Sequence, residues 1–418
     1  MAIIPNKLER YTLTELSGEL PPDRLAEGSA FPIFSSSLIG ESNKRRIIQM
    51  LFDLGPTSRA DLARLTGKKR TTITGIVQPM IDAGLLVESE PAQKRGVGKP
   101  ARPLWFSPTA TCVCAVVLLP DRIETALINL IGDMAAHHVE RISPQTRTRA
   151  DYTQRLHHAI EATLSKAQSP VLGIGIAVGG MVDSDEGTIV AMNLAPSLSG
   201  FRLRQNLMAR FNVDVVVDHH PRAILLGERW FGVGRGLQKF AVIYADEVLG
   251  CAMYLNGAPF RGPHGSGGEL GHTIVDLDGA ICTCGRRGCW ETVATLSWMR
   301  ARAAEHGLVG AKTLDVERLV AMSDVVPAAK ELLAGYARNL AIGIINLQTL
   351  MMPDNFIIYG NARRGRAGLE KAILLAIEGL ATPMLENPIN VMTGHDENQI
   401  TLQGAAGLVI SHQLEINY

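Results

Sequence analysis

Apolar positions first recur at helical spacing just beyond residue 42: Ile47, Ile48, Leu51 and Leu54 fall together, and Gly55-Pro56 stops the pattern. Ser58 has the side chain that caps a second helix, with Leu62 and Leu65 on its inner face and Gly67 closing it. In a third helix Ile73, Ile76, Val77 and Met80 make one apolar stripe and leave Arg70, Thr71, Thr74 and Gln78 outward. Pro79 is expected to kink or end that helix near Gln78, because it lacks an amide proton. Two apolar segments, residues 85–87 and 104–106, then flank a tip with Lys94, Arg95, Lys99 and Arg102 among glycines and prolines. Helix, helix, turn, helix and two-stranded wing is the order of a winged helix-turn-helix.

From Cys112 the pattern changes to short β-rich apolar runs, at residues 112–119, 123–130, 171–178 and 213–217, with an amphipathic helix at 152–166 between them. Strands interleaved with helices imply α/β layers. Beyond Trp290 helices dominate: Leu332, Leu333, Tyr336, Leu340, Ile344 and Leu347 mark a long buried stripe ahead of Pro353 and a strand at 356–359. Residues 1–40, with Pro21, Pro22, Pro32 and the serines 35–37, show little periodicity and are expected to be a leader that is partly ordered at best. The expected division is therefore leader 1–40, DNA-binding head 41–108 and α/β body 109–418.

At 418 residues, 46% apolar and 20% charged, the chain has the composition of a globular protein of more than one domain. No apolar run is long enough to span a bilayer and the start lacks a signal peptide's pattern, so a cytoplasmic protein is expected. The zero net charge conceals a segregation: residues 43–104 hold twelve Lys or Arg against five Asp or Glu, a net +7, which leaves −7 on the remainder. A basic segment on an acidic body points to double-stranded DNA as partner of the head, where Lys69 would add phosphate attraction at the start of the third helix.

The densest chemistry lies in ELGHTIVDLDGAICTCGRRGCWE, residues 269–291, which concentrates His272, Cys282, Cys284 and Cys289 in eighteen positions. One imidazole and three thiols make a closed tetrahedral set for structural zinc. Disulfides fit less well, since Cys282 and Cys284 are too close together to be good bridge partners and a reducing compartment is expected.

The motifs ExGH and CxCGxxGCxE in this stretch resemble the signature of the ROK family, which contains transcriptional repressors, uncharacterised reading frames and sugar kinases. The resemblance implies a two-lobed actin-like ATPase fold behind the winged head. It also implies zinc on His272, Cys282, Cys284 and Cys289, and sugar hydroxyls held by Glu269, His272 and Glu291. The turn at Gly180 and the pair His219 and His220 would border the same pocket. An alternative stays open, in which Glu269 and Glu291 only brace the metal loop.

Set against ROK kinases, the chain departs at three places. The first hairpin, VVLLPDRIETALINL, lacks the Asp-x-Gly phosphate turn, and the second phosphate loop corresponds to YADEVLGCAMYLNG, where Asp246 and Glu247 would repel phosphate. Aligned on Gly227-Glu228, His219-His220 replaces the catalytic Asn-Asp pair, with Asp218 inside the strand end. The expectation is a sugar-responsive regulator, a repressor without kinase activity, assembled as a homodimer or tetramer. The competing expectations are a sugar kinase with an added DNA-binding domain, or a regulator whose sugar pocket is vestigial.

Overall fold

Gly55, at φ +81°, ends the first helix, α1 (Ser42–Leu54), where the sequence places the stop. The computed structural model describes residues 42–89, 102–143, 148–262, 268–380 and 388–414. The expected leader 1–40 and the wing-tip residues Lys94, Arg95 and Lys99 lie outside the described residues. After β1 (Thr57–Ser58), the Ser58 hydroxyl accepts the Asp61 amide at 3.1 Å and starts α2 (Arg59–Thr66), which Gly67 closes in the left-handed conformation. Leu65 departs from expectation: it is 48% exposed, because Leu62 and Ala63 already fill the inner face of α2.

The third helix, α3 (Arg70–Asp82), runs through Pro79 rather than ending at Gln78. Pro79 forfeits only the bond to the Gly75 carbonyl, the helix ends soon afterwards, and burial of Val77 and Met80 on either side holds the turn. The Ala83 amide still bonds the Pro79 carbonyl at 3.0 Å. Strands β2 (Leu86–Glu88) and β3 (Pro103–Phe106) join β1 in a sheet of order β1-β3-β2, which completes a winged helix-turn-helix.

The body repeats one strand order twice. An antiparallel meander of β4 (Cys112–Leu118), β5 (Arg122–Asn129) and β6 (Met134–Arg141) is followed by α4 (Arg149–Leu164) and by β7 (Val171–Val178), which returns parallel to β4. The small hairpin β8 (Met181–Asp183) and β9 (Thr188–Ala191) and helix α5 (Leu203–Phe211) precede β10 (Val215–His219), so the first sheet has the order β10-β7-β4-β5-β6. Helix α6 (His220–Phe231) crosses to the second lobe. There β11 (Phe240–Ala245), β12 (Leu249–Leu255) and β13 (Ala258–Pro259) form the second meander. Helices α7 (Leu296–Glu305), α8 (Val316–Ser323) and α9 (Pro327–Met351) lead to β14 (Asn355–Tyr359), and α10 (Arg366–Leu380) leads to β15 (Asn390–Thr393). This sheet has the order β13-β12-β11-β14-β15.

The last helix, α11 (Glu397–Gln413), returns to the first sheet and lies against α6. Cβ atoms on Gly404 and Gly227 would overlap the carbonyls of Ala223 and Ile400, so the two helix backbones touch. Two large apolar clusters follow from these layers. One spans the second sheet and its helices; the other runs from Ile48, Phe52 and Val77 of the head to Trp230 and Val409 of the body without a break.

Candidate functional site

The metal-ligand set is assembled by a reversal around Gly285 and Gly288, at φ +86° and +71°. A Cβ on Gly288 would overlap the Asp276 carbonyl, so glycine is what lets the loop close. One ligand atom from each of His272, Cys282, Cys284 and Cys289 lies within 4.8 Å of all the others. Cys284 Sγ stands 3.6 Å from Cys289 Sγ, and Cys282 Sγ 3.4 Å from His272 Nδ1. Those separations are too long for disulfides, and a tetrahedron with zinc–sulfur arms of about 2.3 Å has edges of about 3.8 Å. The donor set and spacing fit a closed four-coordinate metal site. Next to it the buried Trp290 donates Nε1–H to the Asn339 carbonyl at 2.8 Å, tying the loop to α9.

The expected sugar-binding positions Gly180 and His219 are brought side by side by a parallel pairing. Register places His219 opposite Val178, so the Gly179-Gly180 turn and His219 leave the sheet side by side. A Cβ on Gly180 would press on the Ala191 carbonyl at 2.7 Å, which keeps this turn bare. His219 lies close enough to Glu269 to feel its charge; burial outweighs that and lowers the His219 pKa, so the ring is neutral at pH 7. Its Nδ1 is buried and without a hydrogen-bond partner among the described residues. His220, 2% exposed, stands edge-on to Tyr244 at 4.9 Å, and burial pushes its pKa down to about 3. A proton acceptor of that strength is a poor general base. Glu291 Oε2 accepts the Leu249 amide at 3.1 Å, and Oε1 lies 3.7 Å from Cys282 Sγ.

A charged cluster behind His219 was not anticipated. Asp218, fully buried, accepts Arg222 Nε at 2.6 Å and pairs with Arg261, while the Ser184 hydroxyl donates to it at 2.9 Å. Burial would raise the Asp218 pKa, but the two guanidiniums hold it below its ordinary value. The i, i+4 pair Asp218 and Arg222 was readable as a helix-start contact; Ser184 and Arg261 are distant in sequence and only folding brings them in.

In the stretch that the resemblance assigns to the second phosphate loop, Asp246 is held by a backbone amide, and a second carboxylate lies on the adjacent residue's amide. The amide of Asn361 donates to Asp246 Oδ2 at 2.9 Å, and the amide of Gly360 to Glu397 Oε2 at 3.0 Å. Burial, and then the neighbouring Asp246, push the Glu397 pKa from 4.5 to about 7. The folded state thus keeps the Glu397 proton up to about pH 7, whereas the unfolded chain releases it near 4.5. The associated stabilisation is complete below pH 4.5 and is lost as pH rises through 7, an effect on the order of 3 kcal/mol. Glu397→Gln should therefore flatten the decline in melting temperature between pH 5 and 8. Parallel pH profiles for the two proteins would rule this out.

On the head, Lys69, Arg70, Thr71, Thr74 and Gln78 are all exposed along α3. Lys69 occupies the N-cap position without a capping bond, as its side chain requires. Gln78 is shared with neighbours, accepting from Arg59 at 3.4 Å and donating to Asp82 at 2.8 Å. Arg102 at the wing base lies 3.9 Å from Glu88. Among the described residues, no helix is long and apolar enough to cross a membrane.

Comparison with known proteins places these features in a family context. The sequence profile described as "ROK family" matches residues 120–412. The chain is 25% identical over 397 residues to a xylose repressor of Bacillus spizizenii, covering 92% of this chain and 99% of that protein. It is 30% identical over 275 residues to a glucokinase of Halalkalibacterium halodurans, covering 62% of this chain and 81% of that enzyme. Among solved structures, a ROK family transcriptional regulator described as a homolog of the Escherichia coli MLC protein superposes with a TM-score of 0.74 at 25% identity, covering 90% of this chain and 99% of that one.

Proposed function

The chain belongs to the ROK family, and from that premise we propose that it is a DNA-binding transcriptional regulator, a repressor of carbohydrate-related genes released by a sugar or sugar derivative. The observation that carries this reading is the polar, basic face of α3, exposed from Lys69 to Gln78 beside a wing, in a chain whose body is of a sugar-handling family. The xylose repressor relative, aligned over nearly its whole length, supports the same reading. We place the head at residues 41–108 and the sensing body at 109–418, acting in the cytoplasm as a homodimer or tetramer whose symmetry matches paired half-sites.

In this reading His272, Cys282, Cys284 and Cys289 hold zinc, whose contribution is structural: it fixes the loop that presents Glu269 and Glu291. Glu269, His219 and the bare turn at Gly180 receive the sugar, with a buried His219 Nδ1 ready for a hydroxyl. Glu291 braces the loop by accepting the Leu249 amide on Oε2. The proposed regulator has no kinase role, since Asp246 and Glu247 stand in the stretch corresponding to the second phosphate loop and His220, at the position of the family's catalytic Asp, is too weak a base.

The glucokinase relative keeps one second reading in view, a sugar kinase with an appended head. One experiment separates them. Duplexes selected from a random pool by the full-length protein are challenged with monosaccharides, sugar phosphates and ATP–magnesium. The expected result is a two-fold repeated motif, release by one sugar class and no effect or turnover of ATP. Failure to select any motif would sink the regulator; ATP turnover with a sugar would restore the kinase.

A further inference from the structure

Helix α6 touches both the pocket and the DNA-binding head. His219 precedes its first turn without a capping bond, Arg222 in that turn belongs to the Asp218 cluster, and every residue from His220 to Trp230 is buried. Twelve residues at a rise of about 1.5 Å each span roughly 18 Å. At the far end Arg229 pairs with Asp53 of α1 at 2.7 Å, and the Trp230 indole stacks on Phe52 at 4.4 Å and 17°. Phe52 stacks in turn on Phe106 of the wing at 4.3 Å, and Arg235, just past α6, lies over Trp105 at 5.5 Å. The backbone contact of α6 with α11 leaves no slack between its ends: neither helix can bend at Ala223 or Gly227 without moving the other.

The head-side joint includes an ion pair that is satisfied only in part. Arg229 is 3% exposed, yet its Nε and Nη1 have no hydrogen-bond partner among the described residues, and its charge is met by one carboxylate and the face of Tyr254 at 5.1 Å. Burial raises the pKa of that carboxylate, Asp53, despite Arg229. A buried ion pair satisfied only in part gains little over its hydrated, separated form, so small displacements decide whether it holds.

We propose that α6 is a rigid lever that couples occupancy of the pocket to the docking of the DNA-binding head, with Asp53–Arg229 and Phe52–Trp230 as its releasable joint. This rests on the regulator reading above and adds the route by which the pocket acts. A ligand that displaces His219 or Arg222 shifts α6 as a unit, and the shift is felt by α1, which shares its core with α3. Coupling of this kind is reciprocal.

The test is hydrogen–deuterium exchange on the full-length protein, with no sugar needed. His219→Asn perturbs the pocket end and is read at the amides of residues 47–54; Asp53→Asn perturbs the head end and is read at residues 218–225. Each is expected to raise exchange at the opposite end by about threefold or more. Glu161→Gln, a surface residue paired with Arg210 at 3.4 Å, serves as control and should alter neither. If Asp53→Asn does not fold, Arg229→Lys perturbs the same joint. Changes confined to each variant's own end would overturn the lever. A protein that selects no DNA motif fails the regulator reading instead, and the exchange result stands independently of it.

Discussion

Replacing Cys289 by serine is expected to reduce bound zinc from about one equivalent to under a tenth and to lower the melting temperature by roughly 10 °C or more. The reason lies in how little else holds the loop. Ile274, Leu277 and Ile281 are 52%, 84% and 70% exposed, so the segment buries little apolar surface of its own. Its backbone is stitched by the isolated bridges Ile274–Cys289 and Ile281–Arg287 rather than by a strand ladder. Structural zinc contributes about 10–16 kcal/mol of apparent binding free energy in small finger peptides, and a loop this short of other contacts should show several kcal/mol of it. Loss would pass through Cys289 to Trp290, Glu291 and the Glu269–His272 turn, so the proposed sugar-binding residues should loosen with it. Elemental analysis beside calorimetry checks the expectation. A serine variant that kept its full equivalent of metal and its parent melting temperature would remove His272, Cys282, Cys284 and Cys289 as a zinc site.

Asp218→Asn is expected to cost about 3–5 kcal/mol, the range for breaking a buried ion pair by deleting one partner. Asp218 is fully buried and answers Arg222 and Arg261 together, and an amide would leave the 4%-exposed Arg222 without its carboxylate. The native carboxyl titrates below its ordinary value, so its contribution is fully present above the unfolded pKa of about 3.9 and disappears as pH falls through the lower folded one. Urea unfolding of the two proteins at pH 7 and pH 3.5 should show the gap narrowing at acid pH. A gap under about 0.5 kcal/mol at pH 7 would mean that the cluster contributes nothing net.

The sequence by itself determined the local pieces. Spacing of Ile47, Ile48, Leu51, Ile73 and Val77, the Ser58 cap and the Gly67 stop gave the head, because capping and amphipathicity are properties of adjacent residues. Four residues that can together hold a metal ion, within eighteen positions, were legible for the same reason. Strand β6 went unread because its alternating half-exposed residues give no apolar run, and α11 because burial on all sides erases its periodicity. Pro79 misled because its effect depends on Val77 and Met80 packing around it.

Only the tertiary structure decided three things. Asp218, Ser184 and Arg261 meet through contacts spanning 34 and 43 positions. The amides of Gly360 and Asn361 find Glu397 and Asp246 across 37 and 115. Phe52 reaches Trp230 across two domains' worth of chain. Such contacts are set by how sheets and helices stack, which no local pattern encodes, and in this protein they separate a head joined to a sensor from two unrelated modules.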